Sequence, residues 1–230
     1  MKISIVIPFY NEEENVQAVL REVQQTLPEA EIIAVNDGSR DRTAEMIRSC
    51  AGVRLISFPR NLGQSAALYA GLIRARNEIC VMMDGDGQND PADIPRLVAG
   101  LDQADLVCGY RDQRQDSWLR RAASRIANTI RQAALRDGIR DTGCTLKAMR
   151  TADVRHLVPF NGLHRFIPAL LRGAGLRVWE IPVNHRPRKF GASKYTLARR
   201  AWRGLRDLIG VRWLLARQIA WPRKEEIEHE

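Results

Sequence analysis

The feature that most restricts the fold is a regular alternation, over the first 110 residues, of short apolar runs with segments of helical periodicity. Five apolar runs have the length of β-strands and lie at 3–9, 31–37, 53–58, 78–84 and 104–110. Segments with helical spacing or helix-starting residues lie between them, notably at 12–27, 63–76 and 91–101. Strands that are apolar throughout are buried on both faces. The pattern predicts an α/β fold with a mostly parallel, Rossmann-like central sheet covered by helices on both faces.

After residue 111 the pattern is less regular. Helices are predicted at 117–135, 151–157 and 163–172, an irregular or edge segment at 139–150, a strand at 175–188 and a basic, apolar tail at 196–221. No apolar run approaches the roughly 18 residues of a membrane span, so we predict no transmembrane helix. The sequence also begins without a signal-peptide pattern.

Charge is concentrated near the end of the chain. The formal net charge is +9, but residues 186–224 alone contain 12 Lys and Arg against one acidic residue, Asp207. This distribution predicts a docking surface for an anionic partner. The four cysteines include no CxxC pair, which argues against a zinc site or a disulfide framework and favours a reducing, cytoplasmic compartment.

Polar side chains follow the predicted strands where they end. "PFYNEEE" follows the first strand, "NDGSRDR" the second, "DGDGQND" the fourth and "GYRD" the fifth. In open parallel sheets the ligand site lies beyond the carboxyl ends of the strands. The four clusters therefore predict an active site at one edge of the sheet.

The acidic cluster at 84–90 admits three interpretations. A solvated turn is the simplest, because Asp, Gly and Asn favour turns for local reasons. An EF-hand is excluded, since its sixth position is Asn89 rather than Gly and its twelfth is Pro95 rather than Glu. The third is a divalent cation held by Asp84 and Asp86 with a bound phosphate as a further ligand, the intervening Gly85 allowing close approach of backbone and ligand. The position at a strand end favours the metal site.

Asp37 ends the second predicted strand. An acid there contacts ribose in dinucleotide-binding folds, but no GxGxxG loop follows the first strand, which makes a nicotinamide enzyme a poor fit. No GxxxxGK[ST] motif is present either, which argues against a P-loop phosphotransferase. A nucleotide whose phosphates are carried by the metal fits better.

Several motifs together resemble a known family. "IVIPFYNEEEN", "AVNDGSRDRT", "RNLGQSAALYAG", "MMDGDGQNDP" and "VCGYR", in this order, are similar to the family-2 glycosyltransferases with the GT-A fold. "DTGCTLKAMR" and "HRPRKFGASKY" resemble, more narrowly, the dolichyl- and polyprenyl-phosphate sugar transferases, the subgroup that includes dolichol-phosphate mannose synthases. The resemblance extends from residue 3 to about 213. It implies a GT-A domain over 1–195 and a basic, amphipathic tail over 196–230.

The resemblance also implies roles for individual residues. The nucleoside pocket would be lined by Pro8, Tyr10, Glu12 and Asp37, with Asp37 facing the base. A Mg²⁺ or Mn²⁺ ion would be held by Asp84, Asp86 and Gln88. The acceptor phosphate would be held by Arg111, Arg120, Ser124 and Ser193. The remaining catalytic residues would be Asp141, near the acceptor, and Arg186 and Lys194, on a loop that closes over the diphosphate together with Ser193.

The activity so implied is transfer of a sugar, with inversion, from a nucleotide-sugar to a polyprenyl phosphate at the cytoplasmic membrane face, for synthesis of envelope glycoconjugates. A UDP-hexosamine or related UDP-sugar is the first candidate donor and GDP-mannose the second. The acceptor is already an anion, so whether Asp141 acts as a base or only positions the acceptor stays open. "IGVRW" has Ile209 where the QxxRW motif of processive synthases requires Gln, which makes a processive role a poor fit.

The tail carries the predicted membrane contact. Its arginines alternate with six apolar residues, namely Leu205, Leu208, Ile209, Trp213, Leu215 and Ile219. Such a helix suits an anionic membrane interface, although packing on the domain is the alternative. Two rival functions are a nucleotidyltransferase and a nucleic-acid-binding protein; the tail has no aromatic stacking series, so no nucleic-acid partner is expected. A homo-oligomer and a membrane-protein partner are left open.

Overall fold

The computed structural model describes residues 2–111, 128–187 and 197–217, with the side chains of the last segment from Gly204 onward. The strands are β1 Ile3–Phe9, β2 Glu31–Asn36, β3 Val53–Ser57, β4 Ile79–Met82, β5 Leu106–Arg111, β6 Lys147–Arg150 and β7 Val178–Val183. The α-helices are α1 Val16–Thr26, α2 Thr43–Arg48, α3 Gln64–Leu72, α4 Ile94–Ala99, α5 128–135, α6 Ile167–Gly173 and α7 Leu197–Arg217. Short 3₁₀ helices span Pro91–Asp93, Gly100–Asp102, Thr151–His156 and Leu163–Arg165.

The strands form one seven-stranded sheet in the order β3-β2-β1-β4-β6-β5-β7. Every adjacent pair is parallel except the two that involve β6, which runs antiparallel to β4 and to β5. The predicted α/β fold with a mostly parallel sheet is therefore confirmed. The carboxyl ends of β1, β2, β4, β5 and β7 all lie at the same edge of the sheet.

The prediction of an irregular or edge segment at 139–150 is wrong for its last four residues. Lys147–Arg150 forms β6, an interior strand between β4 and β5. Lys147 interrupts the apolar pattern by which a buried strand is recognised. In the structure it is nevertheless only 1% exposed, and its ammonium donates a hydrogen bond to the carbonyl oxygen of Cys144. A buried Lys is tolerated when its donors are satisfied, which the sequence does not reveal.

Helices cover both faces of the sheet, as predicted. One apolar core contains side chains of α1, α2 and α4, such as Leu20, Ile47 and Leu97. The other contains side chains of α3, α6 and α7, such as Leu68, Leu170 and Val211. The predicted helices at 12–27 and 63–76 are shorter in the structure, because residues 13–15 form a turn and α3 ends at Leu72.

Helix α7 packs on the domain with one face and exposes another. Leu208 is 8% exposed and lies in the core, so its predicted place on a membrane-facing surface is wrong. Leu205, Ile209 and Trp213 are 45%, 64% and 64% exposed and follow each other at intervals of four residues, which places them on one face of the helix. Within the described part of the chain, no helix combines the length and apolarity of a bilayer span. The boundary between 195 and 196 stays a prediction.

Candidate active site

The loop after β4 packs tightly against the end of β1. A Cβ on Gly85 would lie 2.5 Å from Cδ1 of Phe9 and 2.7 Å from the carbonyl oxygen of Pro8. Only glycine therefore fits between the two aspartates. Gly85 thus allows the loop to approach strand β1 closely, which fixes the loop at the sheet edge; the predicted close approach to a ligand stays a prediction.

Two carboxylates, Asp84 and Asp86, follow β4 at this edge. Oδ1 of Asp84 accepts a hydrogen bond of 2.8 Å from Nε2 of Gln64, and Thr145 also donates to the Asp84 carboxylate. Burial and the like charge of Asp86 raise the pKa of Asp84 to about 6, although the hydrogen bond from Thr145 and the charges of Lys147 and Arg111 oppose this shift. Among the described residues Asp84 has no Lys, Arg or His within ion-pair distance. A cation bound here would offset this repulsion.

Gln88 is oriented by the segment that follows β7. Its Nε2 donates to the carbonyl oxygen of Arg186 at 3.3 Å and lies 3.3 Å from Nε2 of His185. The backbone N–H of Arg186 donates in return to the Gln88 carbonyl oxygen at 2.9 Å. Because the amide nitrogen is held in this way, the side-chain oxygen Oε1 is the atom that Gln88 can offer to a metal.

The predicted metal ligands are therefore two carboxylates and an amide on one short loop. All are oxygen donors, which Mg²⁺ and Mn²⁺ prefer. In the described ranges, no three His, Cys, Asp or Glu side chains are grouped so as to hold a metal ion. The donor chemistry and the raised pKa of Asp84 fit a hard divalent cation, and Asp84, Asp86 and Gln88 are the residues that would hold it.

Asp37 lies at the end of β2, only 3% exposed. Its Oδ1 accepts from the backbone N–H of Leu62 at 2.7 Å, and its Oδ2 accepts from the N–H of Gly63 at 2.9 Å and from Nδ2 of Asn61 at 2.8 Å. Burial raises the pKa of this carboxyl despite those hydrogen bonds. In this structure Asp37 therefore fixes the 61–63 loop. Its predicted contact with a base stays a prediction.

The loops after β1 and β2 are joined by hydrogen bonds beside Asp37. The backbone N–H of Glu12 donates to Oγ1 of Thr43 at 2.9 Å, and the side chain of Asn15 donates to Glu12 at 2.5 Å. Pro8 pairs with Val35 across β1 and β2. Tyr10, the fourth residue predicted for the nucleoside pocket, is partly exposed in the same loop. The structure thus brings these four predicted residues to one corner of the sheet edge.

Arg111 and Asp141 form a two-point ion pair. Nε and Nη2 of Arg111 donate to the two carboxylate oxygens of Asp141 at 2.7 and 2.9 Å. Burial opposes the charge on Arg111, but Asp141 outweighs it and raises the pKa of the guanidinium. The backbone N–H of Gly143 also donates to Asp141, at 3.1 Å, and Glu180 on β7 accepts from the N–H of Asp141 at 3.4 Å. Asp141 is thereby held as an acceptor and anchors Arg111.

Arg186 binds acidic residues on the other side of the loop after β4. Its guanidinium lies 2.7 Å from Glu22 of α1 and 2.8 Å from Asp90. Asp90 also accepts from the N–H of Ala92 at 3.0 Å and so caps the 3₁₀ helix that begins at Pro91. Of the remaining predicted site residues, Arg120, Ser124, Ser193 and Lys194 lie outside the described residues.

Sequence reasoning gave no role to three residues that the structure brings to the site. Gln64 and Thr145 contact Asp84, and Glu22 binds Arg186. Gln64 belongs to the quoted "RNLGQSAALYAG" motif and follows a glycine at the start of a helix. That position was the only available signal, because its partner lies 20 residues away in sequence.

Comparison with known sequences identifies the family to which the chain is similar. The sequence profile described as glycosyl transferase family 2 matches residues 4–158. An undecaprenyl-phosphate 4-deoxy-4-formamido-L-arabinose transferase of Edwardsiella ictaluri is 38% identical over 205 residues, covering 85% of this chain and 63% of the relative. A dodecaprenyl-phosphate galacturonate synthase of Rhizobium johnstonii is 35% identical over 229 residues, covering 94% of this chain and 68% of the relative. The chain thus spans less than two thirds of the length of the Edwardsiella protein.

Comparison with solved structures shows the same fold. Glucosyl-3-phosphoglycerate synthase from Mycobacterium tuberculosis, solved with Mn²⁺, UDP-glucose and phosphoglyceric acid, superposes with a TM-score of 0.72 at 19% identity. That match covers 96% of this chain and 86% of the synthase. The same synthase with Mg²⁺ and UDP gives a TM-score of 0.71 at 20% identity, covering 91% of this chain and 79% of the synthase. The predicted GT-A fold is therefore confirmed.

Proposed function

Because the chain belongs to glycosyl transferase family 2, we propose that it transfers a sugar, with inversion, from a nucleotide-sugar to a polyprenyl phosphate. The observation that carries the proposal is the pair Asp84 and Asp86 at the end of β4, beside the loop that Asp37 holds and within electrostatic reach of Arg111. A donor nucleotide would lie between Asp37 and the two carboxylates. The acceptor phosphate would lie on the Arg111 side.

In the proposed reaction an acceptor phosphate oxygen attacks the anomeric carbon and the bond from that carbon to the donor diphosphate breaks. The electron pair of the broken bond leaves with the nucleoside diphosphate, and in-line attack inverts the anomeric configuration. Arg111 would bind the acceptor phosphate through its guanidinium, whose orientation Asp141 fixes. Since the acceptor is already an anion, Asp141 acts as a positioning residue rather than as a base.

The diphosphate side of the reaction requires compensation of charge. A divalent cation held by Asp84, Asp86 and Gln88 would supply electrostatic stabilisation of the leaving diphosphate. Arg186 belongs to the predicted closing loop, and its backbone already contacts Gln88. Its guanidinium would have to exchange Glu22 and Asp90 for the diphosphate in order to take part.

The proposal is tested by product analysis. The full chain is incubated with undecaprenyl phosphate, Mn²⁺ and each of several nucleotide-sugars, and lipid extracts are examined by mass spectrometry. We expect a polyprenyl-phosphate sugar and an equal amount of UDP or GDP. Release of pyrophosphate instead would identify the nucleotidyltransferase alternative. The rival nucleic-acid-binding function would be favoured if no donor is turned over and the protein binds nucleic acid in a salt-sensitive manner but does not bind liposomes.

The panel of donors combines the candidates predicted from the sequence with sugars named in the relatives. A UDP-hexosamine is our first candidate and GDP-mannose the second. The relatives at 38% and 35% identity are named for a formamido-arabinose and for galacturonate, so UDP-linked forms of both sugars belong in the panel. A thermal-shift screen of the panel with Mn²⁺ ranks the donors before any transfer assay.

A lipid acceptor requires contact with a membrane, at the cytoplasmic face in our proposal. Helix α7 supports it, because Leu205, Ile209 and Trp213 form an exposed apolar stripe. Arg206 and Arg212 are exposed on the same helix and would meet anionic headgroups, each contributing about 1 kcal/mol. Leu208 faces the core, so α7 would lie in the interface with its packed side toward the domain.

Vesicle flotation tests the membrane contact. Replacing Leu205, Ile209 and Trp213 together by Gln should weaken binding to phosphatidylglycerol vesicles at least about tenfold, since each buried apolar side chain contributes roughly 1.5–3 kcal/mol. Ile73, Ile130 and Val158 are 51%, 50% and 46% exposed elsewhere, and their joint replacement by Gln is the matched control. Equal partitioning of the two triple variants would contradict the role of the stripe.

A further inference from the structure

Gln64 connects three parts of the proposed active site. Its Nε2 lies 2.8 Å from Oδ1 of Asp84, the first of the predicted metal ligands, and 3.4 Å from Oγ1 of Thr145, on the segment that leads from Asp141 to β6. Its backbone continues directly from Gly63, whose N–H donates to Asp37.

The contact with Asp84 restricts the orientation of that carboxylate. Asp84 is partly buried and repelled by Asp86, so its charge alone would not keep it in one orientation. An amide N–H donates a directional hydrogen bond to one carboxylate oxygen and keeps no charge that would repel a cation. Gln64 can therefore hold Asp84 in place without competing electrostatically with the metal.

The position of Gln64 is itself fixed by the nucleoside corner. The 61–63 loop donates three hydrogen bonds to the Asp37 carboxylate, at 2.7–2.9 Å. The turn after β2 also meets this loop at close range, because a Cβ on Gly38 would lie 2.1 Å from the carbonyl carbon of Arg60. The loop cannot shift without breaking these contacts, so α3 begins, and Gln64 projects, from a defined point.

We propose that Gln64 is a positioning residue of the metal site, which fixes Asp84 for cation binding and links that carboxylate to the loop held by Asp37. This inference rests on the donor site of the proposed function. Groups that orient a metal ligand without touching the metal typically contribute 10–100-fold to metal affinity. Gln64 fits this role because it contacts Asp84 but brings no ligating charge.

The test is a titration of the full chain with Mn²⁺, run once without UDP and once with saturating UDP. Electron paramagnetic resonance measures the concentration of free Mn²⁺ at each step. Gln64→Met keeps the side-chain length and removes the donor, and it should weaken Mn²⁺ binding about 10–100-fold. UDP binding in EDTA should stay unchanged and unfolding should stay cooperative, although the lost hydrogen bond lowers the melting temperature somewhat; a general structural defect would weaken UDP binding as well. Gln17→Met makes the same change on the exposed face of α1 and should bind Mn²⁺ like the wild type.

Two further variants examine the geometry. Gln64→Asn keeps the amide but shortens the side chain by one methylene, so we expect its Mn²⁺ affinity to lie between those of the wild type and Gln64→Met. Asp37→Asn, titrated with Mn²⁺ alone, should cause a smaller loss by loosening the loop, and adding it to Gln64→Met should cause no further loss. Full additivity of these two changes would overturn the link to Asp37.

The outcomes separate the inference from the proposed function. Equal Mn²⁺ affinity, within twofold, of the wild type and Gln64→Met would overturn the inference and leave the proposed donor site intact. If the wild type takes up no Mn²⁺ even with UDP, the donor site of the proposed function is contradicted as well. Should Gln64→Met fail to fold, the comparison of Gln64→Asn with the wild type decides in the same way.

Discussion

The ends of β4 and β5 lie at the same edge of the sheet, but the charges at the first are uncompensated and those at the second are paired. At the end of β4, burial and the like charge of Asp86 raise the pKa of Asp84 to about 6, and this carboxylate accepts hydrogen bonds from neutral donors such as Gln64. At the end of β5, Arg111 is bound at two points by Asp141. One strand end holds negative charge in excess, and the other holds a compensated pair.

The difference indicates what each strand end is built to receive. Excess negative charge is costly in the free protein and is relieved by a cation, so the β4 end suits a metal. A guanidinium held by a carboxylate is oriented in advance and still has N–H donors for a phosphate. The β5 end therefore suits an anionic acceptor, in agreement with the proposed function.

The largest effect is expected when the charge at the β4 end is removed. Asp86→Ala should lower transfer about 10³-fold, roughly 4 kcal/mol, because the charge stabilisation supplied by a bound cation is lost. The measurement is kcat/KM for the donor, with circular dichroism to confirm the fold, and EDTA should reproduce the loss in the wild type. Asp102→Ala, at the amino end of β5, is the control; full activity of Asp86→Ala would contradict the metal assignment.

Breaking the compensated pair should have the next largest effect. Asp141→Asn should lower kcat/KM for the acceptor about 10²-fold, mainly through KM, and destabilise the fold by about 3 kcal/mol, since it leaves the largely buried Arg111 without its charge partner. Asp105→Asn breaks the exposed pair with Arg177 and should cost less than about 1 kcal/mol. A fall in kcat alone, with acceptor KM unchanged, would instead identify Asp141 as a base.

The excess charge at Asp84 predicts a pH-dependent stability of the metal-free protein. A carboxyl whose pKa is higher in the folded state than its usual 3.8 binds more protons when folded, so the fold loses stability as pH rises from about 4 through about 6. In EDTA at pH 8, Asp84→Asn should therefore melt a few degrees above the wild type, and the difference should disappear toward pH 4.

Calorimetry at a series of pH values measures this difference. Glu14→Gln removes an exposed carboxylate and should leave the melting temperature unchanged at every pH. Adding Mn²⁺ should raise the melting temperature of the wild type but not of Asp84→Asn. A wild type that is more stable than Asp84→Asn in EDTA at pH 8 would contradict the description of the β4 end as uncompensated.

The smallest effect concerns Arg186, a basic residue that is paired at the β4 end. The side chains of Arg186 and Glu22 are 36% and 39% exposed, so Glu22→Gln should change stability by no more than about 1 kcal/mol. Glu22→Gln should also leave transfer unchanged or faster, whereas Arg186→Ala should slow it about tenfold or more if the guanidinium reaches the diphosphate. Equal activity of the two variants would show that Arg186 only anchors the loop.

The sheet and its covering helices were predictable because their signals are local. Runs such as "ISIVIPF" carry their burial in consecutive residues, and the edge of the sheet followed from where the polar clusters stand. Strand β6 was missed because Lys147 breaks the apolar pattern and its burial depends on the carbonyl oxygen of Cys144. Predicted helix ends were displaced for a similar reason, since tertiary hydrogen bonds such as that of Glu12 with Thr43 decide where regular structure begins.

Local sequence patterns were enough to predict the class of fold and the chemical character of the sheet edge. An ordered set of motifs and the run Asp84-Gly85-Asp86 are properties of neighbouring residues, and they were enough to point to a metal-carried nucleotide and to the glycosyltransferase family. Which residues orient the predicted site residues depends instead on the tertiary structure. Gln64 contacts Asp84, 20 residues away in sequence, and Arg111 contacts Asp141, 30 residues away. Leu208 packs in the core among residues still farther away in sequence. Such contacts arise from packing rather than from any local pattern.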